Sequence, residues 1–488
     1  MKYSQTGKNS KRHYLQCILQ ISVLAGNLCL CFSCKHIDSH TSINKEALKL
    51  AGQKKYPEAE ALLQKETFEL ENHLRELKTE SSASRTLDKL KIKNLTLETE
   101  RLAASYFNLG RIFHNQGKYV QSEEAFERAL DLHSSCQGKN NRFAMDCLNY
   151  LATAYFKQGK VLDAERYFKE ELEVQQKLLK PGSLALAVTA NNLAAIYQKL
   201  GDDYEAEKHF QLALATCRNC KSSEKEADQL ADILNNLALF YEKQGSYPEA
   251  RDMVEQAFDI ENNHRGVLFI QDKVRSLLVL ANIEKSTLDM DAAEQHYKEA
   301  LELVNSKLGK SPELLSEASE KYAELLFQER KFKEAEPQFE LAIKSCKEAN
   351  GPEHPSVAER LSEFALLYRR TGRFKESEDL LGRALAIQEK TIGVDTPAFL
   401  STVHRLATVF AEQNRYEQAD KLYQEILPKL RERLGPMHPF VADTMDNWAS
   451  YLDYTGNKLK AAELRKSAQT MRRNIARSLA PSYGPSPQ

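Results

Sequence analysis

Glycine and proline are scarce in this sequence, with 19 and 14 copies in 488 residues. Such scarcity excludes a collagen-like chain, a low-complexity disordered chain and an all-β protein with many turns. Net charge is nearly absent too, because 68 basic residues face 69 acidic ones. The lack of a basic excess argues against a dedicated nucleic-acid-binding protein. Ala, Leu, Glu and Lys are abundant, and they predict a mostly helical chain.

Catalytic motifs are also lacking. The sequence contains no H-E-x-x-H, G-x-S-x-G or G-x-G-x-x-G, and its twelve histidines are dispersed. Nine cysteines form no disulfide framework. Cys217 and Cys220 make a single C-x-x-C, which would suit a redox pair or half of a zinc site. The other half of a four-ligand zinc site is missing, so an incidental pair at a helix end is favoured. We predict no enzyme, no cofactor and no metal site, and leave open whether the two cysteines pair.

The N-terminal residues have the order of a targeting segment. A basic head with Lys2, Lys8, Lys11 and Arg12 precedes an apolar stretch over residues 14–32. This order is typical of a secretory signal peptide. We therefore predict a signal segment over 1–34, a linker over 35–44, and an exported or membrane-associated protein with Cys34 as a candidate for lipidation. An uncleaved membrane anchor, or a cytoplasmic protein with a mis-assigned start, are the alternatives.

A small residue preceded by a large one recurs at intervals of 42, 42, 44, 43, 42, 42, 42 and 42 residues. We call the small residue of each unit its anchor. Such regular spacing predicts a tandem array, here over residues 102–479. The anchors are Gly110, Ala152, Ala194, Ala238, Ala281, Ala323, Ala365, Ala407 and Ala449.

Each unit repeats the same internal frame. A large, mostly aromatic residue follows the anchor by three positions, and small and large residues recur twelve and sixteen positions after it. These offsets place side chains on one face of a helix. Glycine or asparagine between the two halves marks a left-handed helix end, so the unit reads as helix, tight turn, helix. We also predict a first helix pair over 45–70, a charged helical insertion over 71–101 and a disordered tail over 480–488.

This pattern resembles the tetratricopeptide repeat, in the long form of the kinesin-light-chain-like branch. The resemblance rests on Asn191-Asn192-Leu193-Ala194 and on junctions such as Gly351-Pro352-Glu353-His354-Pro355. It implies an all-α, right-handed superhelical solenoid of about ten antiparallel helix pairs. It also implies that the first helices line a concave groove where peptides dock. Kinesin light chains carry a long heptad coiled coil before their repeats, whereas Leu70, Leu74 and Leu77 give barely two heptads here. A motor-subunit role is therefore not expected.

Two positions of each first helix point away from the core on one side. Three residues before the anchor stand Asn149, Asn191 and Asn235. Five residues after it stand Lys157, Lys199 and Lys243. An amide can donate and accept at once, so it could hold a peptide backbone. Lysines beside it would favour an acidic segment.

Arg369 and Arg370 could continue this basic character further along the groove. We therefore predict a non-catalytic scaffold that binds peptides or partner proteins in the groove, with acidic character favoured in the partner. It would contact a membrane only through the N-terminal segment and would not bind nucleic acid. An envelope-anchored, lipoprotein-like assembly factor and an accessory subunit of a separate enzyme remain alternatives.

Overall fold

The structure is a computed structural model that describes residues 42–83, 89–218, 224–263, 267–307, 311–435 and 438–479. These residues form twenty α-helices and no strand. In chain order the helices are α1 (Ser42–Gly52), α2 (Tyr56–Ala83), α3 (Lys89–Asn115), α4 (Tyr119–Gln137), α5 (Arg142–Lys157), α6 (Val161–Leu178), α7 (Leu184–Leu200), α8 (Asp203–Arg218), α9 (Glu224–Lys243), α10 (Tyr247–Asn263), α11 (Val267–Ser286), α12 (Met290–Lys307), α13 (Pro312–Gln328), α14 (Phe332–Asn350), α15 (Pro355–Arg370), α16 (Phe374–Thr391), α17 (Pro397–Glu412), α18 (Tyr416–Leu434), α19 (Pro439–Tyr454) and α20 (Lys458–Leu479).

Consecutive helices pair antiparallel, α1 with α2 through α19 with α20, and each pair packs on the next. The all-α repeat solenoid expected from the sequence is therefore confirmed. We number the ten pairs as units 1 to 10. The predicted insertion over 71–101 contributes its described residues to the C-terminal part of α2 and the N-terminal part of α3, which makes these two helices longer than the others.

A left-handed residue ends the first helix of every unit, seven positions after the anchor, which is Ala47 in unit 1. Six of these residues are glycines, including Gly117 with φ 71° and Gly201 with φ 75°. The positive φ reverses the chain within a few residues, which lets the second helix fold back on the first. Four units achieve the same conformation without glycine: Lys54 (φ 61°), Leu288 (φ 65°), Arg330 (φ 61°) and Asn414 (φ 60°).

The core follows the anchor frame. In unit 3, both the anchor Ala152 and Phe168, sixteen residues later, are fully buried. Small anchors are required because the two helices of a unit approach closely there. The helices of unit 2 approach so closely that a Cβ built on its anchor, Gly110, would lie 3.0 Å from the Phe126 ring.

Histidines begin two of the first helices. His354 Nδ1 accepts a hydrogen bond from Ser356 N at 3.2 Å, and His438 Nδ1 accepts one from Phe440 N at 3.2 Å. Each histidine precedes a proline in the first turn of its helix, which is where proline is tolerated. The repeated His-Pro sequence is therefore an N-cap.

An ion pair joins consecutive units at five junctions. An acid on the second helix, thirteen residues after its anchor, pairs with a basic residue just before the second helix of the next unit. In unit 8 the basic residue Arg373 also covers the Tyr368 ring at 4.0 Å, and the same acid, Glu336, accepts from Tyr368 Oη at 3.1 Å. The five inter-unit ion pairs are Glu60–Lys118 (2.7 Å), Glu123–Lys160 (2.9 Å), Glu294–Lys331 (2.9 Å), Glu336–Arg373 (2.8 Å) and Glu378–Arg415 (2.6 Å).

Candidate functional site

The first helices lie on the concave side of the solenoid. First helices of neighbouring units contact each other at most junctions, whereas contacts between second helices of neighbouring units are sparse among the described residues. Curvature brings elements together on the inside and separates them on the outside. Residues that leave the core from the first helices therefore face the groove.

Three lysines follow one another along the C-terminal ends of α5, α7 and α9. Lys157 is partly exposed, and Lys199 and Lys243 are exposed. None of the three has an ion pair within 4.0 Å in the described part of the chain, although many other lysines do. We call Lys157, Lys199 and Lys243 the lysine row.

The charge of Lys199 lowers the pKa of both other members of the lysine row. Burial, helped by repulsion from Lys199 and Arg360 and opposed by Glu359, lowers the pKa of Lys157 to about 8. Burial and the charge of Lys199 also lower the pKa of Lys243. The row therefore concentrates positive charge that Glu359 and Glu242 offset only in part.

The three asparagines predicted to hold a peptide are buried and bonded to other side chains. Asn149, Asn191 and Asn235 are 7%, 3% and 5% exposed. Asn149 Nδ2 donates to both carboxylate oxygens of Glu171 on α6, at 3.2 and 3.1 Å. The contribution of these asparagines to ligand binding stays a prediction. Their hydrogen bonds within the protein are present in the structure.

The other two asparagines bond across unit boundaries. Asn191 Oδ1 accepts from Asn236 Nδ2 at 3.3 Å, which links α7 to α9. Asn235 Nδ2 donates to Ser276 Oγ at 2.9 Å, which links α9 to α11. Consecutive first helices are thus held together by polar bonds directly beneath the groove surface.

The two arginines differ in their surroundings. Arg369 Nη1 lies 2.6 Å from Glu412 Oε1 on α17, with 18% of its side chain exposed. Arg370 is exposed and has no ion pair within the described residues. It stands five residues after its anchor, as the lysines do, and so continues their frame position in unit 8.

Sequence reasoning missed a set of paired charges on the concave side. Arg275 Nη1 lies 3.4 Å from Asp232 and 3.2 Å from Asp272, and both carboxylates are almost fully buried. Burial raises the pKa of Asp232 to about 7 despite Arg275. Glu320 and Arg360 form a similar pair at 3.2 Å. Asp232 and Arg275 both stand six residues before their anchors, so the repeat frame could have revealed that they face each other.

Several sequence predictions concern residues without a described position. Cys34 and the whole N-terminal segment lie outside the described residues, and so does Cys220. Cys217 is buried, and its thiol lies 3.5 Å from the backbone oxygen of Glu226. Within the described ranges, no cluster of three or more potential ligands is arranged to hold a metal ion. None of the described helices is both long and apolar enough to cross a bilayer.

Comparison with known families matches the array itself. A family profile described as "Tetratricopeptide repeat" matches residues 100–177, 143–219, 185–263 and 314–390, and a second profile with the same description matches residues 399–440. Together they cover more than half of the chain. No curated protein sequence matches the chain at a significant level.

Solved structures with a similar fold include three repeat proteins. TPR-like repeats of kinesin-light-chain type from Podosopora anserina show 20% identity over 44% of this chain and 100% of theirs, with a TM-score of 0.38. BtubC (BKLC) from P. vanneervenii shows 19% identity over 51% of this chain and 94% of its own, with a TM-score of 0.39. A Rap protein complexed with competence and sporulation factor shows 14% identity over 91% of this chain and 99% of its own, with a TM-score of 0.46.

Proposed function

Since the chain belongs to the tetratricopeptide repeat family, we propose that it is a non-catalytic scaffold for a partner protein. An extended acidic segment of that partner binds along the concave surface, where its carboxylates contact Lys157, Lys199 and Lys243. The segment contributes carboxylates to three lysines that have no ion pair within 4.0 Å among the described residues.

The observation that carries this proposal is that no member of the lysine row has an ion pair within 4.0 Å among the described residues. Lys118, Lys160 and Lys331, outside the row, each have a carboxylate within 3 Å. Three mutually repelling ammonium groups beside one another are unfavourable until an anion binds, so an acidic ligand relieves repulsion as well as gaining attraction.

The spacing of the row suggests a pattern in the ligand. Packed helices lie roughly 8–10 Å apart, and an extended chain advances about 3.3 Å per residue. Carboxylates about three residues apart would therefore meet consecutive lysines. A nine-residue peptide with glutamate at every third position is the simplest probe of this match.

Binding of the fluorescein-labelled probe peptide, followed by fluorescence anisotropy, tests the proposal. We expect the double variant Lys199→Ala/Lys243→Ala to bind at least about tenfold more weakly, since each lost charge contact contributes about 1 kcal/mol. Both lysines are exposed, so the fold is retained. Binding should also weaken as salt is added.

Lys177→Ala/Lys344→Ala is the matched control. It removes the same charge from exposed positions on second helices. Equal loss of binding in both double variants would show that only net charge matters and would reject the groove assignment. The triple variant Asn149→Ala/Asn191→Ala/Asn235→Ala, checked for helicity by circular dichroism, tests the asparagines in the same assay.

A further inference from the structure

The solenoid contacts itself after one superhelical turn. A Cβ built on Gly117, in the turn between α3 and α4, would lie 2.2 Å from Pro355 Cδ and 2.9 Å from the His354 ring. The Tyr119 and His354 rings meet edge to face at 6.5 Å between their centroids. The turn of unit 2 therefore packs directly on the junction that begins unit 8.

The same contact recurs one unit later and one unit earlier. A Cβ on Gly159 would lie 2.8 Å from Pro397 Cδ, which joins unit 3 to unit 9. In unit 1, Lys54 Nζ donates to Ala349 O at 2.8 Å and lies 3.9 Å from Glu313 of unit 7. We call these three pairings, of units 1, 2 and 3 with units 7, 8 and 9, the inter-turn contact.

The inter-turn contact ends abruptly. Pro355 follows Gly117 by 238 residues, and Pro397 follows Gly159 by the same 238 residues. Continuing this register would bring Pro439 to Gly201. Among the described residues, however, no atom would lie within 4 Å of a Cβ on Gly201. Among the described residues, the two turns of the superhelix therefore meet at units 1 to 3, and the turn of unit 4 has no such contact.

The lysine row crosses the point where the turns separate. Lys157 belongs to unit 3, where the two turns meet. Its pKa is raised by the charge of Glu359 and lowered by that of Arg360, both on α15. Burial lowers the pKa of the His354 imidazole, and the charge of Lys157 lowers it further. His114 and Arg360 act in the same direction. Lys199 and Lys243 belong to units 4 and 5, and they are more exposed than Lys157.

We propose that the inter-turn contact regulates access to the lysine row. In the closed form an acidic segment reaches Lys199 and Lys243 from the open side, while the second turn covers Lys157. Separation of units 2 and 3 from units 8 and 9 uncovers Lys157 and completes the site. This inference rests on the proposed function for its ligand, but the separation itself is measurable without any ligand.

The glycines provide a matched pair of variants. Gly117→Ala/Gly159→Ala places a methyl group where Pro355 and Pro397 already pack. Gly201→Ala/Gly245→Ala imposes the same backbone strain, because φ is 75° at both positions, yet meets nothing within 4 Å. Only the first pair should disturb the inter-turn contact. Lys54→Ala, which removes the third pairing without changing a glycine, is a further variant should the first pair fold poorly.

Two ligand-free measurements on the full chain test the separation. Small-angle X-ray scattering should show a larger maximum dimension for Gly117→Ala/Gly159→Ala. Limited acetylation followed by mass spectrometry should show Lys157 reacting several-fold faster relative to Lys199. The Gly201→Ala/Gly245→Ala variant should match wild type in both measurements. Equal behaviour of the two double variants would overturn the proposal.

The probe peptide described above then tests the regulation. We expect it to bind Gly117→Ala/Gly159→Ala several-fold more tightly than wild type or the control. Unchanged affinity in a solenoid that scattering shows to be opened would overturn the regulatory role while leaving the lysine row intact. Failure of the peptide to bind any form would reject the proposed function. It would also reject the regulation of peptide binding by the inter-turn contact. Scattering and acetylation would still show whether the two turns separate.

Discussion

Units 3 to 6 and the units on either side of them are joined differently. The five inter-unit ion pairs described above connect units 1 to 3 and units 6 to 9, whereas the three consecutive junctions between units 3 and 6 lack a basic residue at the corresponding position. Asp202, Ser246 and Asp289 occupy the basic position there. Other contacts join these units. Tyr241 Oη donates to Glu207 at 3.0 Å between units 4 and 5. Between units 5 and 6, ion pairs join Asp232 to Arg275 at 3.4 Å and Arg251 to Glu284 at 3.9 Å.

The lysine row lies on units 3 to 5, in the central region with the fewer cross-links. Each unit of a solenoid packs mainly on its neighbours along the chain, so a junction without this ion pair can open locally without unfolding the ends. The comparison therefore suggests that the central units adjust to a ligand while the flanking units hold the shape. The following changes test this difference, beginning with the largest expected effect.

Removing the large core residue should affect both regions alike. Phe210 of unit 4 and Phe339 of unit 7 share a frame position and are 2% and 3% exposed. Phe210→Ala and Phe339→Ala should each lower the local free energy of unfolding by about 3–5 kcal/mol, because each leaves a cavity. Native-state hydrogen exchange of the flanking helices measures the change. A much smaller loss at Phe210 would show that the regions also differ in their cores.

Replacing Lys157 should stabilise the central region. Its folded-state pKa of about 8 lies below its ordinary 10.5, so the buried charge is fully destabilising below about pH 8. That cost fades as pH rises towards 10.5. We expect Lys157→Met to raise the free energy of unfolding by about 1 kcal/mol at pH 7, after allowance for partial exposure. Urea denaturation at pH 7 and 10.5 measures this, and an equal gain at both pH values would contradict it.

Neutralising an acid should cost more in a flanking junction than in the central one. Glu336 accepts from both Arg373 and Tyr368, whereas Glu207 accepts from Tyr241. We expect Glu336→Gln to cost about 1 kcal/mol and Glu207→Gln about 0.3 kcal/mol, because the first loses an ion pair as well as a hydrogen bond. Hydrogen exchange across the two junctions compares them, and the reverse order would remove the distinction between the regions.

Relieving strain in unit 6 should stabilise the central region slightly. Leu288 has φ 65° and is 78% exposed, so its side chain contributes little packing. Leu288→Gly should raise the free energy of unfolding by about 0.5 kcal/mol, the relief of the left-handed strain exceeding the entropy cost of glycine. Denaturation midpoints measure the gain, with Leu212→Gly as a control of the opposite sign inside a helix.

Transplanting an ion pair into the central region is the smallest test. Ser246→Lys places an ammonium group opposite Glu207, in the frame positions that Lys118 and Glu60 occupy. We expect a gain of about 0.3 kcal/mol that disappears in high salt. Exchange protection of α9 and α10 measures it. A gain that persists in high salt would mean that the lysine acts through packing and not through its charge.

The helix pairs were predictable because small and large residues recur in the sequence at fixed positions. Glycine identified most of the turns. Lys54, Leu288 and Arg330 adopt the same left-handed conformation, although their residue types do not predict it. The repeat frame does locate all three, seven residues after their anchors. Position in the repeat was thus a better guide to backbone conformation than residue identity.

The concave face was predictable, but the roles of its side chains were only partly so. The frame assigned Asn149, Asn191 and Asn235 to the first helices, yet it could not show that their amides bond to neighbouring side chains. Asn235 and Ser276 belong to different frame positions in different units, so their contact depends on how two helices pack. The inter-turn contact was beyond prediction, because it joins residues 238 positions apart through the accumulated curvature of roughly 5.7 units.

The separation of about 5.7 units between the partners of the inter-turn contact determines which repeat duplications preserve that contact. Duplication of one repeat near either terminus would leave the pairing of Gly117 with Pro355 unaltered. Duplication between units 3 and 7 would instead bring Glu313 to Gly117, with Pro312 in place of His354. A change of repeat number in this part of the chain would therefore replace both partners of the inter-turn contact, even where each unit still folds and still packs on its neighbours.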